Sequence, residues 1–131
     1  AELLYDFALT VSDTLDSMEH TAELLVISEV GALPTPLLEA AKGVERAAEL
    51  TVAVTWKLSR VRDLGDHYEQ VRKLKRQGDR LVRRSLGELY TRGGSAQELL
   101  PLRDVAESVR ATITLQERSA RIADLLRVKD S

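Results

Sequence analysis

Cysteine is absent from the 131 residues, which excludes disulfides, thiolate metal sites and cysteine nucleophiles. Aromatic residues make up only 4% of the chain, so leucine, valine and alanine have to fill any core. There are two histidines, His20 and His67. Neither stands in the Glu-x-x-His or His-Glu-x-x-His patterns of helical metal sites, and both are expected at a solvated surface. Gly93-Gly94 lacks the lysine and the strand of a phosphate-binding loop. The serines and threonines have no partnered base in view, so a catalytic role is not expected. No apolar run reaches the roughly 18–20 residues of a membrane-spanning helix. A net charge of −2 gives no global pull toward nucleic acid or an anionic membrane. The chain shows neither a signal peptide nor an initiator methionine. A processed or truncated piece with its true N-terminus upstream is therefore expected, with the cytoplasm as default compartment.

What is present is helical periodicity, almost end to end. Leu4, Phe7, Val11, Leu15, Met18, Ala22 and Leu25 recur at three- and four-residue steps and mark one helical face. Thr35 as a cap and Pro36 at the first position start a second helix. Its seam is Leu37, Ala41, Val44, Ala48, Thr51, Thr55 and Leu58. A break near Gly65, with Asp66 as cap, leads to a third seam of Tyr68, Val71, Leu74, Gly78, Leu81, Ser85 and Leu89. The glycine pair 93–94 ends it. Pro101 marks the start of a last helix with Val105, Val109, Ile113, Ala120 and Ala123 inward. The spacing predicts helices over about 2–29, 36–61, 66–91 and 98–128. Short turns make sequential helices antiparallel neighbours, so the fold class is all-α, a single-domain up-and-down bundle of four helices. Trp56 and Tyr68 are expected in core or boundary packing near the second turn.

Two charge features remain. Asp13, Asp16, Glu19 and Glu23 fall within about 120° of arc on the first helix. Like charges at this spacing destabilise a helix, so the row is either solvated or faced by a cation or basic partner. On the third helix Arg72, Lys73, Arg76, Arg80, Arg83 and Arg84 form a basic stripe of similar width, about 120°. The stripe reads as a solvated face, or else as a contact for an anion or a partner protein. Nucleic acid is disfavoured, because no aromatic residues interleave the stripe.

Several segments together resemble the PhoU-related family of phosphate-transport regulators that accompany Pit-type transporters. They are S-D-T-L-D-S-M-E-H-T-A-E-L-L, V-G-A-L-P, A-A-E-L-T, R-K-L-K-R-Q-G-D-R-L-V-R-R, L-R-D-V-A-E-S-V and the closing V-K-D-S. The likeness runs over almost the whole chain and begins inside the family's pattern, which carries two further helices upstream. It implies one three-helix repeat plus one extra helix. An end without those upstream helices leaves part of the first helix uncovered, and self-association through that strip, as a homo-oligomer, is expected.

The resemblance also implies metal-binding acidic boxes. The first is Ser12-Asp13, Asp16, Glu19 and Glu23. In the second, Lys75 stands at the glutamate position and only Asp79 remains. In the third, Arg110 and Thr114 replace glutamate and aspartate, and Glu117 remains. A hard cation needs oxygen ligands from more than one element, and these degenerate boxes suit weak divalent metal at most; no cofactor is expected. Lys75 and Arg110 are expected instead to act as replacement cations, pairing with Asp13, Asp16, Glu19, Asp79 or Glu117. The function implied is non-enzymatic: a regulator or adaptor that docks to a phosphate transporter or signalling protein. The alternatives are a metal-carboxylate bundle, or a bundle binding an anion or nucleic acid through the stripe 72–84.

Overall fold

A computed structural model describes residues 2–29, 31–56 and 65–130. It contains α1 (Glu2–Ile27), α2 (Thr35–Trp56), α3 (Gly65–Arg92) and α4 (Ala96–Asp130). The described residues contain no strand. The expected end of the second helix, with Leu58, lies outside the described residues. No described helix is long and apolar enough to cross a membrane.

Capping chemistry sets the helix starts. The Pro34 carbonyl accepts from Leu37 N–H at 3.0 Å and Leu38 N–H at 3.1 Å, so a proline backbone opens α2 rather than the Thr35 side chain. Gly93 and Gly94 take φ of 74° and 122°, which few side chains tolerate, and this breaks α3 from α4. Ser95 then caps α4, its Oγ accepting from Glu98 N–H at 3.3 Å and its carbonyl from Leu99 N–H at 3.1 Å. That cap starts α4 ahead of Pro101, which sits inside the helix. At 35 residues, α4 is about 50 Å long.

The four helices form an all-α bundle, and α4 is its axis. It packs extensively on α1 and α3, and less on α2, while α2 packs on α3. Paired residues give the directions. Ser17 meets Thr112 and Thr21 meets Ser108, so α1 runs antiparallel to α4. Leu37 joins Val105 and Val109 at one end of α4, and Val54 joins Ala123 at the other, so α2 runs parallel to it. The sequential helices therefore alternate in direction, as short turns require. However, α1 and α2 are not packed neighbours along their length. Helices α2, α3 and α4 enclose the main core of Leu37, Ala40, Val82, Val105, Ala106, Val109 and Ile113, and α1 lies on the outside of α4. At Gly78 the α3 backbone comes so close to α4 that a Cβ would stand 2.6 Å from Ile113 Cδ1.

The predicted seams hold for half the bundle. Val71, Gly78, Ser85 and Leu89 of α3 are buried, and so are all five inward residues of α4. By contrast, α1 and α2 are rotated from expectation. Helix α1 buries Phe7, Thr10 and Thr14, while Leu15 of its apolar seam is 60% exposed and Leu4 also stands out. The reason lies in α4, whose flank toward α1 carries Ser108 and Thr112. Buried hydroxyls need partners, and α1 turns its Ser17 and Thr21 to supply them at 2.7 and 2.5 Å. Helix α2 likewise buries Leu37, Ala40, Ala47 and Val54, leaving Ala41 and Thr55 exposed.

Two placements of aromatic and imidazole side chains also differ from expectation. Trp56 is 84% exposed, because the turn of α2 that buries Val54 points the residue two positions on toward solvent. His67 is buried, not at a solvated surface, because it lies on the inward face of α3 within one turn of Val71.

Candidate docking groove and charged faces

The misplaced seams meet across an open groove. Its walls are Val11, Leu15, Met18, Ala22 and Leu25 from α1, and Ala41, Val44, Ala48, Thr51, Val52 and Thr55 from α2. Its floor is Val109, Thr112, Gln116 and Ser119 of α4. Two cavities of about 180 and 140 Å³ meet at Met18. From Val11 to Leu25 the trough is about 21 Å long. No charged side chain lines it. Gln116 is held in the floor, donating to the Val44 carbonyl at 2.9 Å.

The acidic row lies beside this groove. Asp13, Asp16, Glu19 and Glu23 are all exposed, on the face of α1 turned away from α4. Helix α1 has six carboxylates and no lysine or arginine. Across the groove, Glu45 and Glu49 of α2 are exposed, Glu49 pairing with Arg46 at 3.1 Å. Glu19 and Glu45 are the carboxylates nearest the two rims.

The remaining box residues are elsewhere. Lys75 donates to Asp79 at 2.8 Å within α3. Arg110 lies 3.6 Å from Glu107, one turn back on α4, and not beside the carboxylates of α1. Thr114 is exposed and donates to its own helix, to the Arg110 carbonyl at 3.1 Å. Glu117 is 6% exposed and held by Arg121 at 2.6 Å and the Tyr68 hydroxyl at 3.4 Å. The hydrogen bond and charge of Glu117 raise the Arg121 pKa above its ordinary value. Arg121 and Tyr68 were not singled out as partners of Glu117, although the four-residue step from Glu117 to Arg121 is a readable signal. Among the described residues, no three histidine, aspartate or glutamate side chains converge on a point that could hold a metal ion. The acidic residues therefore do not fit a metal cluster in this arrangement: the row on α1 diverges around its helix, and Asp79 and Glu117 are already matched by cations.

The basic stripe is on the far side of α4 from the acidic row. Arg72, Lys73, Arg76, Arg80, Arg83 and Arg84 are all exposed. None forms an ion pair among the described residues. Helix α3 carries eight lysines and arginines against four acidic residues.

A pocket of about 310 Å³ lies elsewhere, at the end of the bundle between the two turns. It is lined by Ser28, Glu29, Arg92, Gln97, Glu98 and loop residues. Compared with known proteins, the chain matches no protein-family model and no curated sequence. What the fold and surface define is a class: a helical bundle with an apolar groove between α1 and α2 and two oppositely charged faces.

Proposed function

We propose that this chain is a non-enzymatic, cytoplasmic adaptor that regulates phosphate transport through protein contacts. The observation that supports docking is the groove. Two helix faces whose periodicity suits burial stand open on either side of a third helix, and such a trough fits an amphipathic helix laid lengthwise. The pathway is supported by the sequence resemblance to PhoU-related regulators of Pit-type transporters.

Co-expression with an affinity-tagged Pit-type phosphate transporter tests this reading. The chain should co-purify with the transporter, and phosphate uptake should change when the chain is withdrawn. Loss of both effects sinks the reading.

A second reading is anion binding through α3, favoured by six exposed and unpaired cations on one face. Retention of RNA or DNA on filters, falling steeply with salt, would favour it over the first.

A further inference from the structure

We propose that the groove between α1 and α2 receives an amphipathic helix whose apolar face is flanked by lysine or arginine. The inference rests on the reading of the chain as a docking protein and adds the chemistry of the partner. Three observations carry it.

The first is shape. The open stretch of about 21 Å accommodates about 14 helical residues, or four turns. The occupant would become the fourth neighbour of a slot whose two walls and floor are already helices.

The second is surface chemistry. The walls are leucine, valine, methionine, alanine and threonine without charge. Leu15 and Val52, on opposite walls, are 60% and 61% exposed. An occupant must therefore present an apolar stripe of its own.

The third is the rim. Glu19 edges one wall and Glu45 the other, both exposed. On a helix these two residues lie about 70–80° round from the groove line, where the flanking positions of a seated helix would come, and Glu23 lies about 120° round. No cation on α1 offsets them. On α2, Lys42 and Arg46 lie further round, about 130° and 170° from the groove line. Complementary flanks are thus basic, because like charges set across an interface oppose association. The same rim argues against a second copy docking through its own α1 and α2, since that would bring two acidic edges together. The self-association expected from the sequence is therefore not the occupancy the rim favours.

The test uses two fluorescein-labelled model helices cut to the groove's length, one of leucine and lysine and one of leucine and glutamate. Fluorescence anisotropy should show saturable binding of the lysine peptide to the full chain and none of the glutamate peptide. Leu15→Gln with Val52→Gln should weaken binding at least about tenfold, as should Glu19→Lys with Glu23→Lys. All four positions are exposed, so circular dichroism should show both variants folded.

Equal binding of the two peptides, or no binding of either, overturns the proposal. So does binding of the lysine peptide that survives Leu15→Gln with Val52→Gln, which would place it on the acidic surface outside the groove. Sedimentation supplies one more arm. A dimer that Leu15→Gln with Val52→Gln dissolves would name a second copy as occupant, and the proposal would fall. Failure of the transporter to co-purify leaves these results untouched, so the two readings fail separately.

Discussion

Glu117 shows how one residue can be legible in type and not in role. Its place in an acidic pattern suggests a metal ligand, yet its carboxylate is buried and shared between Arg121 and Tyr68. A buried charge without a partner is costly. Arg121→Met should therefore lower stability by about 1–2 kcal/mol, toward the low end for hydrogen bonds to a charged group, because Arg121 itself reaches water. Adding Glu117→Gln should recover part of that loss, and a urea denaturation cycle over the two positions measures the coupling. An Arg121→Met chain as stable as the parent would mean that water alone satisfies Glu117. The Lys75–Asp79 pair was readable, since a four-residue step on a helix puts the two side chains together. Arg110 was not: its nearest carboxylate, Glu107, is equally local, and only the packing of helices decides between local and distant partners.

At the scale of the helix, the two seams that packed as read belong to α3 and α4. The two that rotated belong to α1 and α2. Periodicity counts apolar side chains and gives no weight to a stripe of hydroxyls. In α1 that stripe, Thr10, Thr14, Ser17 and Thr21, won the interface because α4 offers matching hydroxyls. Pattern alone could have found the stripe at its three- and four-residue steps, but not that it faces inward. One consequence is dynamic. Helix α1 packs mainly on a single helix and adds only the half-buried Leu24 and Leu25 to the edge of the main core, so it should open at lower cost than α4, and local openings of that kind set amide exchange. Hydrogen exchange should find the central amides of α1 releasing faster than those of α4 around Val105–Ile113. Equal protection would show that α1 and the core open as one unit.

For the whole molecule, alternation of direction was legible from turn length, while adjacency was not. Four alternating helices can close into a square, with α1 beside α2, or leave one helix on the outside. Nothing in the turn residues chooses between them. Residues that crowd the α3–α4 contact, such as Gly78 against Ile113, draw those two helices together, and the hydroxyl pairs tie α1 to α4. The groove is what remains between α1 and α2.

The separation of charge across α4 has a practical consequence, which the net charge of −2 conceals. Carboxylates gather on α1 and unpaired arginines on α3, so the molecule has two ends in the electrical sense and will turn toward any charged surface it meets. At pH 7 and low ionic strength, a sulfonate cation-exchange resin should hold this formally anionic protein by its α3 face, while a quaternary-ammonium resin holds it by α1. Replacing Arg76, Arg80 and Arg83 with glutamine should release it from the first resin and leave it on the second. Elution volumes read out which way round the molecule stands, and the same orienting torque would act wherever it approaches a charged assembly.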